Sequence, residues 1–133
     1  MLERTGPVTK IRPSAIAIGF FVGFVVPAAI YFAIGSALFI AREGEVLKWI
    51  PWFNSLWFAV AIGMPLLAGY LTARVAQVQP LLHGGIVGML GSIGLVVLAI
   101  PISAALYSAI IFVPGGVAGA WLWKKFRRTE GAL

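Results

Sequence analysis

Residues 75–123 read VAQVQPLLHGGIVGMLGSIGLVVLAIPISAALYSAIIFVPGGVAGAWLW and contain no aspartate, glutamate, lysine or arginine. A helix needs about 20 apolar residues to cross the ~30 Å hydrocarbon core of a membrane, so this stretch is long enough to cross twice. Pro101, followed by Ile102 and Ser103, lies near its middle, and proline lacks the N–H that a helix interior requires. We therefore predict two helices, 81–100 and 104–123, with a reversal at these three residues.

Two shorter stretches without charged residues, 13–41 and 49–73, precede this one, and each suffices for one helix. Pro13, Pro51 and Pro80 lie where helices are expected to begin, since the first helical turn tolerates a missing N–H. No alternation of period two indicates strands, and an open sheet edge is not tolerated in lipid. The sequence predicts one all-α integral membrane domain, residues 1–133, forming a four-helix bundle with spans at 14–40, 52–75, 81–100 and 104–123.

Composition supports a membrane environment. Hydrophobic residues make up 61% of the 133 residues and charged residues 11%, against roughly 45–50% and about 25% in soluble proteins. The absence of cysteine excludes disulfides, thiolate metal sites and cysteine nucleophiles. The net charge of +6 would suit nucleic acid, but the basic residues flank apolar spans. We therefore expect anionic lipid headgroups as partners, and no nucleic acid.

Basic residues also predict the orientation of the chain. Cytoplasmic loops of membrane proteins are enriched in lysine and arginine. The outer segments would hold only Arg42 and Lys48 if the amino terminus is inside. The inner segments would then hold Arg4, Lys10, Arg12, Arg74, Lys124, Lys125, Arg127 and Arg128. We predict that both termini are cytoplasmic. A cleaved signal peptide is the alternative for the first stretch, but that stretch is about twice the usual 7–15-residue apolar core.

Small residues at four-residue spacing predict where the helices touch. Helices in lipid associate by close packing rather than by the hydrophobic effect, so small residues mark their contacts. The strongest run is Gly84, Gly88 and Gly91 with Ser92 in the third span. Glycine is also simply common in membrane helices, and the sequence does not tell contacts within one chain from contacts between chains. The predicted packing residues are Gly19, Gly23, Gly69, Gly84, Gly88, Gly91, Gly115 and Gly119.

Prolines also lie inside the predicted spans. Pro27, Pro65 and Pro114 are each expected to kink a helix or to loosen one of its hydrogen bonds. These positions could act as hinges or as static bends that shape the bundle, and we favour static bends.

The sequence contains no constellation of catalytic residues. An ionisable residue at membrane depth would indicate a functional site, but all four acidic residues (Glu3, Glu43, Glu45 and Glu130) lie outside the predicted spans. The small multidrug exporters also have four helices, but they use a glutamate in the first helix, which this chain lacks. No nucleophile elbow, phosphate loop or paired-histidine motif is present. We predict no catalytic residue, no cofactor and no metal site.

The remaining polar candidates lie at the predicted cytoplasmic boundary. His83, the only histidine, could ligate a haem or a pigment, respond to protons or contact lipid phosphate, and we interpret it as an interfacial histidine at a helix start. Arg74 ends the second span, where its cation suits the helix terminus. The residues assigned to headgroups and topology are Arg12, Arg74, His83, Lys124, Lys125, Arg127 and Arg128.

The segments AGYLTAR (68–74) and PLLHGGIVG (80–88) resemble a junction in small, uncharacterised four-span proteins of the bacterial inner membrane. In that group Gly-Tyr-x-x-Ala-Arg ends one helix and Leu-His-Gly-x-x-x-Gly opens the next. Ala68 stands where a second glycine is common. The resemblance covers about 20 residues and the number of spans. It implies an inner-membrane location and adds no mechanism.

Three functions are compatible with this sequence. The leading hypothesis is a non-enzymatic accessory or assembly subunit that acts through helix–helix contacts with a membrane-protein partner or with copies of itself. A small oligomeric channel or transporter is the alternative, with the intramembrane prolines as hinges. A haem- or pigment-binding subunit that uses His83 is the third.

Overall fold

The computed structural model of the chain describes residues 11–41, 46–97 and 102–130. Within these ranges every residue is helical except residues 11 and 12 and the connection at 77–79, and no strand occurs among them. The predicted all-α class is therefore confirmed. Helix α1 is Pro13–Phe20, a π-helical turn follows at Phe21–Val25, and the helices α2 to α5 are Val26–Ala41, Val46–Ala76, Pro80–Val97 and Ile102–Glu130.

The helix boundaries agree with the prolines at two of three positions. Pro13 and Pro80 are the first residues of α1 and α4. Pro51 instead lies inside α3, which begins five residues earlier at Val46. Pro101 of the predicted reversal and the last residues of the predicted span 81–100 lie outside the described residues, whereas Ile102 and Ser103 already belong to α5.

Contacts between the helices show that successive helical stretches run in opposite directions. Gly19 faces Thr72 and Gly23 faces Ala68, so α1 and α3 are antiparallel. Gly84 faces Gly116, and Gly88 faces Phe112, so α4 and α5 are antiparallel too. A connection of three residues joins α3 to α4. The start of α1, the end of α3, the start of α4 and the end of α5 therefore lie together at one end of the bundle.

The π-helical turn in the first helical stretch has a cause in the sequence. Pro27 cannot donate a backbone hydrogen bond, and its ring crowds the carbonyl one turn earlier. The backbone widens over Phe21–Val25, where the N–H of Val26 reaches back to the carbonyl of Phe21. The wider turn directs Phe24 inward, and its side chain is buried. Before Pro27 the helix therefore changes type locally, as is common for π-bulges.

The apolar core lies in one half of the bundle. Its buried side chains are Phe24, Met64, Ala68, Val87 and Phe112, with the ring centroids of Phe24 and Phe112 5.2 Å apart. We call residues 12–24, 64–92 and 112–124 the closed half, because every buried residue of the described chain belongs to it.

The open half consists of residues 26–41, 46–63, 93–97 and 102–111. No residue there whose exposure the structure describes is buried. Pro27 and Pro114 lie beside the boundary between the halves, and Pro65, which packs against Gly115, lies at the same depth. Pro27, Pro65 and Pro114 therefore share one level of the bundle.

Among the described residues, two helical stretches, Pro13–Ala37 and Phe58–Ala76, are long and apolar enough to span a membrane. The helical stretch Pro80–Gly94 is apolar but shorter. In the most apolar windows of the first two, only 28% and 33% of the residues are buried, whereas a core helix of a soluble protein would be mostly buried. This pattern supports an association with a membrane.

Candidate functional site: glycine contacts and a buried histidine

The closest helix contact joins α4 to α5 through glycines. A Cβ atom added at Gly84 would overlap the carbonyl oxygen of Gly116, and one added at Gly116 would overlap the carbonyl oxygen of Gly84. One turn further, a Cβ at Gly88 would overlap the carbonyl oxygen of Phe112 and lie 2.9 Å from the Cα of Val113. These two helices therefore approach with backbone against backbone, as small residues allow in lipid.

Helix α3 packs on α5 in the same way. A Cβ at Gly69 would overlap the carbonyl oxygen of Gly116, and a Cβ at Gly119 would overlap that of Leu66. At Gly115 an added Cβ would lie 2.9 Å from the Cβ of Pro65. The carbonyl oxygen of Gly116 is thus bracketed by Gly69 from one helix and Gly84 from another.

The first helical stretch joins this group through α3 and α4. A Cβ at Gly23 would overlap Ala68, and one at Gly19 would overlap the hydroxyl of Thr72. On α4, Gly91 leaves room for the ring of Phe24, which a Cβ there would overlap. All eight glycines named from the sequence therefore lie against a neighbouring helix of the same chain.

One geometry recurs in these contacts. At Gly69, Gly84, Gly88, Gly116 and Gly119, the position of the absent Cβ coincides with a carbonyl oxygen of the adjacent helix. The Cα–H that occupies this direction in glycine therefore points at the oxygen. Such Cα–H···O contacts recur at helix interfaces and contribute about 0.5–1 kcal/mol each. The contacts thus combine close packing with weak directional bonds.

Gly116 is the packing residue that sequence reasoning missed. It follows Gly115 directly, and two adjacent glycines indicate a flexible point in a helix more readily than a contact with another helix. Gly116 is buried and faces both α3 and α4. Its spacing of four residues to Ala120, which is fully buried, is the signal that could have identified it.

His83 is completely buried, at 0% exposure, near the start of α4. Its Nε2 atom accepts a hydrogen bond of 3.0 Å from the backbone N–H of Arg12. Its Nδ1 atom lies 3.0 Å from the carbonyl oxygen of Gln79. Because a backbone N–H can only donate, Nε2 must be the unprotonated nitrogen and Nδ1–H must donate to Gln79. The geometry therefore assigns a neutral ring with one tautomer.

This placement corrects the sequence-based interpretation of His83. The sequence assigns the residue to lipid headgroups, but its ring faces the protein interior and joins the start of α1 to the start of α4. Both ring nitrogens are engaged, so an iron or a pigment metal could bind only after one of these hydrogen bonds broke. The sequence missed this because burial of a helix-start residue depends on which other segment packs over it.

The turn beside His83 has an unusual backbone. Gln77 and Gln79 adopt left-handed conformations, with φ of 56° and 43°. This region costs roughly 1–2 kcal/mol for residues other than glycine. Gln79 contributes its carbonyl oxygen to both the backbone N–H and the ring of His83, at 3.2 and 3.0 Å. The strained turn thus positions the acceptor that orients the histidine.

Two further polar side chains are buried in the closed half. The hydroxyl of Ser92 donates to the carbonyl oxygen of Gly88 at 3.3 Å, within its own helix. The hydroxyl of Thr72 is fully buried, faces Gly19 and has no hydrogen-bond partner in the described part of the chain. Its oxygen lies against the Cα of Gly19 in the same way as the carbonyl oxygens lie against the glycines of the α3–α5 and α4–α5 contacts.

Six basic residues lie at the end of the bundle where His83 is located. Arg12, Arg74, Lys124, Lys125, Arg127 and Arg128 are all exposed. Helix α5 continues through the last four of them to Glu130, seven residues beyond the predicted end of the span at residue 123. The predicted headgroup residues other than His83 therefore lie on one exposed surface.

Within residues 11–41, 46–97 and 102–130, no group of three or more histidine, cysteine, aspartate or glutamate residues is placed to hold a metal ion. Comparison of the chain with protein-family models, with curated proteins and with solved structures finds no match. The function is therefore argued from the glycine contacts, the buried histidine and the two halves of the bundle.

Proposed function

We propose that the chain is a multi-pass protein of a bacterial inner membrane that crosses the bilayer four times, with both termini in the cytoplasm. In this proposal it catalyses no reaction. It acts as an accessory or assembly subunit that holds another membrane protein through helix–helix contacts. The observation that carries the proposal is the contrast between a closed half with a buried core and an open half in which no side chain of described exposure is buried.

The exposed surface of the bundle supports the membrane part of the proposal. Large apolar side chains are exposed on every helical stretch, among them Phe21, Phe58, Met89 and Ile110. Leaving such a side chain in water rather than burying it costs about 1.5–3 kcal/mol. Hydrocarbon removes that cost, so lipid is the solvent that this surface suits.

The location of the glycine contacts indicates where a partner would bind. The glycines of the closed half already contact helices of the same chain, so they are not available to a second protein. In the open half, the position of the absent Cβ of Gly63 has no atom of another described helix within 4 Å. Ser55, Ala59 and Gly63 follow each other at four-residue spacing on α3, and all three are exposed. A partner helix could approach the α3 backbone closely along this face.

Purification from the native membrane in mild detergent, followed by mass spectrometry of the intact complex, tests the proposed partnership. We expect a membrane protein to copurify, and we expect Gly63→Leu to remove it because the added side chain blocks close approach. Phe58→Leu is the matched control, since it changes a large exposed residue about one turn away and should retain the partner. Purification of the chain alone, or solute flux into liposomes that hold only this chain, would contradict an accessory role.

The topology has its own test. The chain contains no cysteine, so single cysteines introduced at Lys10 and Lys125 can be labelled without background. We expect a membrane-impermeant reagent to reach both positions from the cytoplasmic side only. Labelling of the two positions from opposite sides would require an odd number of crossings and would refute the four-span arrangement.

A further inference from the structure

The carboxyl-terminal turns of α5 contain two pairs of a basic residue and a tryptophan. The Nζ atom of Lys125 lies over the ring of Trp121, 5.3 Å from its centroid. The guanidinium carbon of Arg127 lies over the ring of Trp123 at the same distance. In each pair the cation belongs to the residue four positions after the ring, one helical turn further along. Both distances fall within the range of cation–π attraction.

The direction of these side chains follows from helix geometry. Side chains of an α-helix lean toward its amino terminus, and the amino-terminal direction of α5 leads back into the apolar part of the bundle. The contacts of Lys125 and Arg127 with the rings one turn earlier follow from this direction of the side chains. The two cations are therefore held toward the apolar surface instead of extending away from it.

Two other cations of the same segment lack such a ring. The residue four positions before Lys124 is Ala120, and the residue four positions before Arg128 is Lys124. All four cations are exposed, so they share charge and accessibility. They differ in whether an indole ring holds them against the edge of the apolar surface.

We propose that Trp121 with Lys125, and Trp123 with Arg127, are two binding points for the headgroups of anionic phospholipids. In each pair the cation contacts the phosphate, while the indole ring packs on the glycerol region and the first carbons of an acyl chain. Residues 121 and 123 are about 200° apart around the helix, so the two points lie on opposite sides of α5. Trp123 follows Gly119 by four residues and therefore lies on the side of α5 that packs on α3. The proposal rests on the membrane-spanning arrangement proposed above.

The chemistry favours a lipid over other anions. A free phosphate or a nucleic acid would be attracted by all four cations alike, because long-range attraction depends on charge. Only a ligand whose anionic group is joined to an apolar part gains from a cation that lies over an indole ring at the edge of an apolar surface. Tryptophan is enriched at this level of membrane proteins for the same reason.

Lipid exchange in nanodiscs tests the proposal. The full-length chain is reconstituted with a mixture of phosphatidylglycerol and phosphatidylcholine, and the lipids retained after extraction are counted by native mass spectrometry. The test variant is Lys125→Gln with Arg127→Gln. The control is Lys124→Gln with Arg128→Gln, which removes the same charge but no ring-paired cation. The test variant should lose roughly fivefold in phosphatidylglycerol retention for each residue, the equivalent of about 1 kcal/mol.

The control variant should lose clearly less phosphatidylglycerol than the test variant, because its two cations attract the headgroup by charge without a ring beside them. Equal losses in the two variants would show that charge alone acts and would overturn the proposal, as would no loss in either. Trp121→Leu with Trp123→Leu keeps every charge and should also lower retention, and an unchanged count would refute the role of the rings. Competition by inorganic phosphate would instead identify a site for the free anion.

A separate measurement keeps this test independent of the proposed topology. Alkaline carbonate extraction of the membrane reports whether the chain is integral before any lipid is counted. Release of the wild-type chain would overturn the membrane-spanning proposal. A retained chain with no preference for phosphatidylglycerol over phosphatidylcholine would overturn only the lipid-binding points.

Discussion

The closed and open halves of the bundle have the same apolar character but pack differently. In the closed half, glycines such as Gly69, Gly84 and Gly116 bring backbones together until carbonyl oxygens meet Cα atoms. In the open half, Val60 packs on the edge of the core, small residues such as Ala59 and Gly63 are exposed, and no residue of described exposure is buried. Apolar character therefore does not by itself decide where these helices pack. Small residues give a close contact where a neighbouring helix of the chain faces them.

The largest effect on stability should come from a side chain placed at Gly69, because Gly69 and Gly84 both contact the carbonyl oxygen of Gly116. Gly69→Leu is expected to lower the free energy of unfolding by more than about 3 kcal/mol, because the new side chain must displace the backbone of α5. Unfolding by sodium dodecyl sulfate in mixed micelles measures this change. Gly63→Leu, on the same helix in the open half, is the control and should change stability by less than about 0.5 kcal/mol. Equal effects at the two positions would remove the distinction between the halves.

The next largest effect should come from the aromatic cluster at the boundary of the two halves. Phe24→Ala removes the ring that fills the space over Gly91 and contacts Phe112. We expect a loss of about 2–3 kcal/mol, below the roughly 3–5 kcal/mol usual for such a truncation, since hydrocarbon outside the protein removes the transfer term. Phe32→Ala, an exposed position in the open half, should be nearly neutral in the same unfolding assay. A comparable loss at Phe32 would mean that the open half also carries a packed core.

His83→Ala tests whether the hydrogen-bonded ring closes the end of the bundle. The substitution leaves the N–H of Arg12 without its acceptor, for which about 1–3 kcal/mol is expected. Hydrogen exchange of the Arg12 amide should become faster, and the start of α1 should lose protection. Arg12→Ala is the matched control, because the hydrogen bond uses the backbone and survives loss of the guanidinium group. Faster exchange in Arg12→Ala as well would assign the effect to the side chain.

The smallest expected effect is a gain in stability. Gln77 follows the last residue of α3 with φ of 56°, a position where glycine is the usual helix cap. Gln77→Gly should raise the free energy of unfolding by about 1 kcal/mol, since it removes the steric cost of the left-handed backbone. The same unfolding assay detects the gain.

The control for this gain is the neighbouring residue of the same turn. Val78 has no positive φ, so Val78→Gly relieves no steric cost and instead adds freedom to the unfolded chain. It should therefore give no increase in the free energy of unfolding. An increase similar to that of Gln77→Gly would argue against backbone strain as the cause.

Much of the helical architecture could be predicted from the sequence because its signals are local. Long apolar stretches without charge predict helices in lipid, and Pro13 and Pro80 begin helices because the first turn needs no N–H from them. The prediction that Pro51 begins a helix was wrong, because it lies inside α3. A proline inside a helix loses one hydrogen bond, and the neighbouring residues of α3 sustain the helix through it. The continuation of α5 through its basic residues had a signal that was not used, since lysine and arginine favour helices and residues 120–130 contain no proline or glycine.

The candidate site was less predictable, because its features depend on which segments meet. Four-residue spacing identified glycines that lie in contacts, but it did not say that Gly69 and Gly84 face the same residue of α5. The burial of His83 depends on the start of α1, which is about seventy residues away in the chain. The spacing of residues along one helix holds no information about such a partner. The i, i+4 spacing in the sequence already pairs each cation with a tryptophan. That the two cations point toward the apolar surface could be concluded only once the direction of α5 in the bundle was known.

The position of Gly116 has a consequence for how the protein is made. Its carbonyl oxygen lies between Gly69 of α3 and Gly84 of α4, so those two helices share a groove that α5 fills. Synthesis proceeds from the amino terminus, so α3 and α4 are made before α5. The groove between them therefore stays open until α5 is made and packs into it.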